Sequence, residues 1–322
     1  MPEMRTRTLG SSGLVVSVVG LGCNNFGWRI DAARAREVVD AALDSGITLF
    51  DTADIYGGGE RGEEILGEAL RGRRDRIVLA TKFGIRVEGD PYGPDGGARG
   101  SRRYLRRAVE GSLRRLRTDH IDLYQYHRPD GITPLEETLD ALGELVREGK
   151  VRYIGSSQHA AWQVTECEHL ARAKGAPRYV SAQNEYSLLE RGAEQELVPA
   201  CLHHGIGILP FFPLSSGKLT GKVRRGQPLP PGTRLADRGE GAVSEQELDR
   251  IEALAAFAAE RGVSLLDVAI GGLAAQPGVA SVIAGATSAE QVRANAAAGA
   301  WIPSAEDLAA LDEVAPTPRS GG

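Results

Sequence analysis

Residues 51–70, DTADIYGGGERGEEILGEAL, decide between two α/β folds for this chain of 322 residues. Gly57, Gly59 and Gly62 have the G-x-G-x-x-G spacing and lie between a strand-like run and a helical pattern, as in a Rossmann dinucleotide-binding turn. A Rossmann fold also needs an acidic residue at the end of the next strand, about 20 residues later, where it binds the ribose. That strand ends in Lys82 instead, and one complete βα unit precedes the glycines. We therefore interpret these glycines as a structural turn into the following helix.

Strand-like and helical patterns alternate along the rest of the chain. Two short β-type runs on either side of a Gly-Ser-Ser-Gly turn predict an N-terminal hairpin over about residues 5–17. Eight further runs predict strands at residues 18–21, 47–50, 77–82, 121–127, 151–156, 179–183, 206–210 and 279–283. Helical patterns occupy residues 31–45, 60–71, 101–117, 133–148, 160–174, 194–204, 244–275, 288–299 and 304–314.

Eight βα units with no internal linker predict a (β/α)8 TIM barrel, which belongs to the α/β class. We expect one domain over residues 1–322, with the hairpin at its N-terminus, additional helices at its C-terminus and a disordered last few residues. The alternative is an open, doubly wound sheet of eight strands. In a barrel, the long loops at 84–100 and 211–243 lie at the C-terminal mouth, where loops of this length are usually functional.

The composition and charge argue against several classes of partner. The net charge is −5, and 42% of residues are hydrophobic and 25% charged, which gives no general attraction to nucleic acid or anionic lipid. The arginine-rich helix 101–117 also has an apolar stripe, so we interpret its charges as a solvated face rather than an RNA-binding surface. No uninterrupted apolar segment is long enough to cross a membrane. Three widely spaced cysteines, Cys23, Cys167 and Cys201, predict neither a disulfide framework nor a zinc site and favour the cytoplasm.

Four ionisable residues are expected at one rim of this barrel. Period-2 alternation points Asp51, Lys82 and His127 inward at the C-terminal ends of three successive strands, and Tyr56 lies in the loop after the first. Each residue alone fits an ordinary structural role, such as a helix cap, packing or an ion pair, but four of them together predict an active site. None of them has the spacing of metal ligands, so no metal is predicted.

The same four residues suit carbonyl reduction. A free tyrosine has a pKa of about 10, which a neighbouring ammonium lowers, and Asp51 keeps the Lys82 ammonium charged and oriented. Tyr56 can then protonate a carbonyl oxygen as a hydride reaches its carbon, or take the proton back in the oxidation. His127 can donate a hydrogen bond to the same oxygen. The hydride has to come from a nicotinamide cofactor.

Two loops are candidates for binding such a cofactor without Rossmann glycines. Barrels often bind phosphate through the loops after strands 7 and 8 and a helix N-terminus. In this chain those loops are FFPLSSGKLTGK (211–222) and AGATSAEQVRAN (284–295), and both carry hydroxyl groups and small residues. Their candidate cations are Lys218, Lys222 and Arg293.

Several motifs, taken together and in order, match one family over nearly the whole chain. They are TRTLGSSGLVVSVVGLG (6–22), LFDTADIYGGGERGEEILGEAL (49–70), VLATKFG (78–84), SLRRLRTDHIDLYQYHRPD (112–130), VRYIGSSQ (151–158), SAQNEYSLL (181–189), PLSSGKLTGK (213–222) and IAGATSAEQVRAN (283–295). With these motifs the sequence resembles the aldo-keto reductases. The combination is specific, whereas no single motif is.

The resemblance implies a catalytic tetrad made of the four rim residues, with Tyr56 as the general acid/base. It also implies that NADP(H) is preferred, with NAD(H) as an alternative, and that the cofactor lies extended across the barrel mouth. The implied cofactor-binding residues are Ser157, Gln158 and Gln183 at the nicotinamide carboxamide, Phe211 against its ring, Leu214, Ser215, Gly217 and Lys222 at the pyrophosphate, and Thr287, Ser288, Gln291 and Asn295 at the adenosine end. Gly285 is also among the implied cofactor-binding residues.

Two positions depart from the family's pattern. Gln158 stands where the family usually has an Asn beside the serine. Thr287 stands where many members carry an Arg that binds the 2′-phosphate, and Ser288 and Arg293 are the candidates to compensate. These departures keep NAD(H) open as an alternative cofactor.

The substrate pocket is the part that the sequence describes least. Trp28 and Phe83 are expected to line it, with Tyr92 as a further candidate in the long loop. We interpret Arg29 and Arg128 as surface residues rather than as a site for an anionic group. The family acts on aldehydes, ketones and sugar-derived carbonyls, so the resemblance implies a small-molecule carbonyl substrate.

Two other functions are compatible with these residues. A Schiff-base aldolase would use Lys82 as its nucleophile, although Asp51 would keep that lysine protonated. A cofactor-sensing binding subunit, similar to the potassium-channel β-subunits that resemble this family, would keep the tetrad but turn over very slowly. The sequence indicates neither the physiological substrate nor the oligomeric state.

Overall fold

Eight parallel strands form a ring in the computed structural model, which describes residues 3–58, 61–85, 97–239 and 241–317. The chain begins with an antiparallel hairpin of two short strands, β1 (Thr6–Thr8) and β2 (Val15–Ser17). From β3 to β9 each strand pairs with the next one along the chain, and β10 pairs with β3. The ring strands are β3 (Val19–Gly22), β4 (Leu49–Asp51), β5 (Val78–Phe83), β6 (Ile121–Tyr126), β7 (Val151–Ser157), β8 (Tyr179–Gln183), β9 (Gly207–Ile208) and β10 (Val282–Gly285).

The ring closes between β9 and β10. Ile208 forms a parallel bridge with Val279, and the backbone N–H of Ala280 donates to the carbonyl of Ile208 over 2.9 Å. Further along, the N–H of Ile283 donates to the carbonyl of Pro210 over 3.1 Å. These contacts confirm the predicted (β/α)8 barrel, and the open-sheet alternative is wrong.

Helices surround the ring, and each consecutive pair among the first six is in contact. Three of them lie in the long connection between β9 and β10, and the last two follow β10, as predicted for the C-terminus. The helices are α1 (Ala32–Asp44), α2 (Arg61–Ala69), α3 (Arg102–Leu116), α4 (Leu135–Arg147), α5 (Ala161–Lys174), α6 (Leu197–His204), α7 (Arg234–Arg238), α8 (Glu245–Glu260), α9 (Leu265–Asp267), α10 (Ala289–Ala298) and α11 (Ala305–Val314).

Several predicted elements differ from the observed ones in their bounds, and two of these differences have a clear structural reason. The single helix predicted over 244–275 is interrupted between α8 and α9, because Gly262 adopts a left-handed φ of +64° and Ser264 starts a new helix. The hydroxyl of Ser264 accepts from the Asp267 N–H, and Asp267 accepts in return from the Ser264 N–H, which is a capping box. The last strand begins at Val282 rather than at residue 279, since Gly278 and Ala280, on either side of Val279, are hydrogen-bonded to Ile208 of β9 instead of to β3.

The lower part of the barrel interior is an apolar layer. Leucine, alanine and isoleucine side chains from the ring strands meet there and pack against Leu9 and Val16 of the hairpin, which covers the N-terminal end of the barrel. The members of this layer on the ring strands or directly after them are Leu49, Ala80, Leu123, Leu209 and Ile283. Inward-facing positions recur every second residue, so the layer above Leu49, Ala80 and Leu123 is formed by Asp51, Lys82 and Gln125, which are buried polar or charged residues.

The glycine-rich turn after β4 has the structural role predicted for it. Gly57 has a φ of +82°, and a Cβ atom there would lie 2.6 Å from the nitrogen of Gly62 and 2.8 Å from the carbonyl oxygen of Phe26. The N–H of Gly62 donates to the carbonyl of Tyr56 over 2.9 Å, which fixes that residue at the start of the turn. Gly59 and Glu60 lie outside the described residues.

Other predictions fall partly outside the described ranges. Tyr92 and the last residues, 318–322, belong to the part of the chain that the structure does not describe. Cys23, Cys167 and Cys201 are all buried free thiols. No helix within the described ranges combines the length and the apolar character that crossing a membrane requires.

Candidate active site

Lys82 is the centre of a buried hydrogen-bond network at the C-terminal ends of β4 and β5. Its Nζ atom donates to Asp51 Oδ2 over 2.7 Å, to the carbonyl oxygen of Thr52 over 2.9 Å and to the Tyr56 hydroxyl over 3.2 Å. An ammonium has three N–H donors, so these contacts use all of them. The structure therefore brings three of the four predicted catalytic residues into one hydrogen-bonded chain.

Asp51 is held in place by two amide side chains as well. Its Oδ1 atom accepts from Gln183 Nε2 over 2.9 Å and from Gln125 Nε2 over 3.3 Å. Sequence reasoning missed Gln125 as a site residue, although it lies two residues before His127 and thus on the same face of β6. That shared face was the signal that could have identified it.

Burial and charge act in opposite directions on the two protonatable partners. Burial acts to lower the pKa of Lys82, but the charges of Asp51 and Tyr56 and their hydrogen bonds outweigh it, so the pKa of Lys82 is raised and the ammonium stays charged. Burial raises the pKa of Tyr56, and the opposing effect of Lys82 does not cancel it. The expectation that Tyr56 is unusually acidic is therefore wrong for this site. The phenol is protonated at neutral pH, which suits a proton donor.

His127 lies beside Tyr56 at the same rim. The two rings meet edge to face, with 6.0 Å between their centroids. Burial lowers the pKa of His127 well below its ordinary value, and the charges of Lys82 and Arg128 lower it further, so the imidazole is neutral. Its Nδ1 atom is buried and has no hydrogen-bond partner among the described residues. A neutral imidazole carries one N–H that can donate to a substrate oxygen.

A cavity of about 720 Å³ opens above these residues and is lined by Asp51, Tyr56 and His127. This volume lies within the range of small-molecule and cofactor sites. Of the predicted cofactor residues, Ser215 does not line the cavity, whereas its neighbour Ser216 does. All the others line it, namely Ser157, Gln158, Gln183, Phe211, Leu214, Gly217, Lys222, Gly285, Thr287, Ser288, Gln291 and Asn295.

The polar groups near Tyr56 fit a carboxamide. The Ser157 hydroxyl oxygen is buried and lacks a partner within the described part of the chain. Gln183 uses its amide nitrogen on Asp51, so its amide oxygen can still accept a hydrogen bond. The side chain of Gln158 is engaged differently, because it accepts from Arg128 Nη2 over 2.7 Å and donates to the carbonyl of His127 over 3.3 Å.

The cations predicted for the two phosphate-type loops have different environments in the structure. Lys218 is buried and pairs with Glu247 of α8, so it joins the loop to that helix. Lys222 lines the cavity, and so does Arg234 of α7, which sequence reasoning missed. Arg234 donates to Asn25 Oδ1 over 2.9 Å and has no carboxylate partner in the described ranges. Nothing in the sequence of this arginine-rich loop distinguishes Arg234 from its neighbours.

The two predicted substrate residues have different environments. Trp28, predicted for the substrate pocket, lines a smaller adjoining cavity and not the one that contains Tyr56. Its side chain is 61% exposed, and the guanidinium groups of Arg29 and Arg234 lie 4.7 and 5.4 Å from its ring centroid. The placement of Phe83 in the substrate pocket is corrected, because this side chain is fully buried outside the barrel wall and lines neither the cavity that contains Tyr56 nor the smaller one beside it. Its ring stacks on two tyrosines of β6, Tyr124 and Tyr126. Since Lys82 points inward, the next residue on β5 has to point outward.

Comparison with known proteins agrees with this geometry. The sequence model of the Aldo/keto reductase family matches residues 18–316. An uncharacterized oxidoreductase, YrpG, of Bacillus subtilis is 39% identical, with 96% of this chain and 95% of the relative covered. A probable voltage-gated potassium channel subunit beta of Arabidopsis thaliana is 36% identical, with 93% and 92% covered. The versiconal hemiacetal acetate reductase of Aspergillus parasiticus is 34% identical, with 83% and 84% covered. The chain therefore belongs to the aldo/keto reductase family, a family of oxidoreductases.

Proposed function

We propose that this protein transfers a hydride between NADP(H) and a small aldehyde, ketone or sugar-derived carbonyl, with Tyr56 as the general acid/base. One observation carries the proposal: Lys82 donates both to Asp51 and to the Tyr56 hydroxyl, and that hydroxyl faces a cavity of cofactor size beside His127. NAD(H) is the alternative cofactor.

The roles of the four residues follow from their contacts. When bound, the nicotinamide cofactor supplies or accepts the hydride. His127 donates its N–H to the carbonyl oxygen and orients it, and Tyr56 gives that oxygen its proton in the reduction. Lys82 then stabilises the phenolate, and Asp51 holds the ammonium in position. In the oxidation the phenolate of Tyr56 takes the proton back.

The lining of the cavity provides groups for each part of the cofactor. Ser157 and Gln183 would hold the carboxamide through the hydroxyl and the amide oxygen described above. Phe211 would lie against the nicotinamide ring, and Lys222 and Arg234 would bind the phosphates as cations. The cytoplasmic location stays a prediction, supported by the three unpaired thiols.

The test is turnover by the purified protein. We expect NADPH oxidation in the presence of a reactive aromatic aldehyde, measured by the loss of NADPH absorbance, and a panel run with NADPH and NADH gives the cofactor preference. Tyr56→Phe removes only the hydroxyl, so NADPH should still bind while turnover is lost. Full activity in Tyr56→Phe would overturn the mechanism.

The two alternatives have less support. Lys82 is charged and uses all its donors, which makes it a poor Schiff-base nucleophile, and trapping with borohydride would reveal any adduct. Among the relatives, a channel subunit and reductases match at similar identity, so the comparison does not favour a binding subunit. Tight NADPH binding with very slow turnover of every tested carbonyl would favour it instead.

A further inference from the structure

A second, smaller cavity adjoins the one that contains Tyr56. It has a volume of about 490 Å³, and it shares Arg29, Gly232 and Thr287 with the larger cavity. Arg34, in the first turn of α1, lines only this smaller cavity. The smaller cavity is thus next to the residues that the resemblance places at the adenosine end of the cofactor.

Arg34 is fixed against Thr287. Its Nε–H donates to the carbonyl oxygen of Thr287 over 3.2 Å, and one Nη1–H donates to Glu37 over 2.7 Å. A guanidinium has five N–H donors, so three are left over. Both hydrogens of Nη2 are among them, and that atom has no acceptor in the ranges that the structure describes.

Thr287 itself brings no charge to this end of the cavity. Its N–H and its hydroxyl both donate to Gln291 Oε1, over 2.8 and 3.1 Å. Many members of the family carry an Arg at this position for a 2′-phosphate, and the sequence suggested Ser288 and Arg293 as replacements, of which only Arg293 carries a charge. However, Arg293 lines neither cavity. Arg29 lines both, but it is paired with Asp237 and donates to the carbonyl of Gly232.

We propose that Arg34 of α1 supplies the positive charge that selects a cofactor with a 2′-phosphate, in place of the arginine that Thr287 replaces. The inference rests on the proposed function, because it assumes that the protein binds a nicotinamide dinucleotide. A phosphate monoester carries close to two negative charges and three acceptor oxygens, and a guanidinium binds it through paired N–H groups. The anchoring bond to the Thr287 carbonyl keeps those N–H groups beside the adenosine end.

The ion pair with Glu37 leaves Arg34 able to bind a phosphate. The Arg34 and Glu37 side chains are 49% and 57% exposed, and exposed pairs of this kind contribute little free energy. Arg34 can also donate to Glu37 and to a phosphate at the same time, since the two acceptors would use different nitrogens. The charge of Glu37 therefore lowers the affinity of this site for a phosphate, but Glu37 does not occupy the N–H groups that would bind it.

Binding measurements on the intact protein test the proposal without depending on turnover. Isothermal titration gives the Kd values for NADPH and NADH, and for adenosine 2′,5′-bisphosphate and 5′-AMP as probes that lack the nicotinamide. Arg34→Gln should weaken NADPH and the bisphosphate by about 10- to 100-fold, because one charge-assisted contact to the phosphate is lost. NADH and 5′-AMP should bind as they do to the wild type.

Two control variants complete the experiment. Arg36→Gln removes an exposed arginine from the same helix and should leave all four Kd values unchanged. Glu37→Gln removes the competing carboxylate and should tighten NADPH but not NADH. An unchanged ratio of the NADPH and NADH affinities in Arg34→Gln, with normal binding of both, would overturn this inference and leave the proposed function intact. A wild type that binds neither dinucleotide would overturn the proposed function, and the inference with it.

Discussion

Two buried ion pairs lie on opposite faces of the same strand, β5. On the inner face, Lys82 pairs with Asp51 over 2.7 Å below the large cavity. On the outer face, the hydroxyl of the adjacent Thr81 donates over 2.5 Å to Glu63 of α2, which pairs with Arg115 of α3 over 2.7 Å. Neighbouring side chains of a strand point to opposite faces, so one strand positions a charged pair on each side of the barrel wall.

The two ion pairs differ in whether they contact a group that lines the cavity. Lys82 also donates to Tyr56, which lines the cavity and can exchange a proton with a ligand there. Glu63 and Arg115 are enclosed between two helices and the strand, and they line neither of the cavities described above. Burial of opposite charges is therefore not enough to indicate a catalytic site. Contact with a protonatable group that faces a cavity is the feature that separates the two pairs.

Burial raises a pKa on both sides of the wall, with different consequences. On the inner face it raises the pKa of Tyr56, a phenol that is protonated at neutral pH and can donate its proton to a ligand in the cavity. On the outer face burial raises the pKa of Glu63, although Arg115 acts to lower it. There, burying the Glu63 carboxylate costs free energy, and the ion pair with Arg115 offsets that cost.

The largest effect is expected from breaking the inner pair. Lys82→Met should lower kcat by about 10²- to 10⁴-fold, because Tyr56 loses the ammonium that stabilises its phenolate. Arg115→Met, which removes the cation of the outer pair, should leave kcat per folded molecule unchanged. Steady-state rates with NADPH, corrected for the folded fraction by circular dichroism, would check both variants. Equal losses of kcat in both would remove the functional distinction between the two pairs.

The outer pair should matter for stability instead. Arg115→Met leaves Glu63 buried without its cation, which should lower the free energy of unfolding by about 3–5 kcal/mol. The double variant Glu63→Leu with Arg115→Met buries no unpaired charge and should recover a large part of that loss. Urea unfolding followed by circular dichroism measures these values. A double variant that is less stable than Arg115→Met alone would contradict the explanation.

The inner pair was predictable from the sequence and the outer pair was not. Period-2 alternation alone places Asp51 and Lys82 at one rim, because both are positions near the ends of adjacent strands. Glu63 and Arg115 are 52 residues apart on two helices, and their contact depends on how those helices pack. No local pattern encodes that packing.

The errors in the predicted site have different origins. The rule that points Lys82 inward also points Phe83 outward, so Phe83 could have been placed correctly. The direction of the pKa shift of Tyr56 could not, since it depends on how completely the folded chain removes the phenol from water. Arg234 was missed because its loop has no periodicity, and only the folded chain brings it to the cavity.

Two buried histidines extend the comparison to pH. His127 faces the cavity on the inner side, whereas His159 lies behind the wall, where its ring contacts Tyr126 and Tyr179 edge to face. Burial lowers the pKa of His159 to about 4, against the hydrogen bond between its Nδ1 and the carbonyl of Ser157, which acts to raise it. Burial also lowers the pKa of His127 well below its ordinary value.

The smallest expected effect follows from these shifts. An unfolded histidine has a pKa of about 6.5. Between that pH and the lower pKa of folded His159, the unfolded chain binds a proton that the folded chain does not bind, which favours unfolding. The contribution of His159 to stability is complete above pH 6.5 and is lost as the pH falls towards 4, and the loss amounts to about 3 kcal/mol. A glutamine at position 159 does not titrate in this range, so urea unfolding of His159→Gln at a series of pH values should show a shallower decline in stability.

His127→Gln should also make the decline in stability shallower, but only His127→Gln should lower kcat, because only the His127 ring can reach a substrate carbonyl. If His159→Gln lowered kcat as much as His127→Gln, position on the inner or outer face would no longer explain which buried groups serve the reaction.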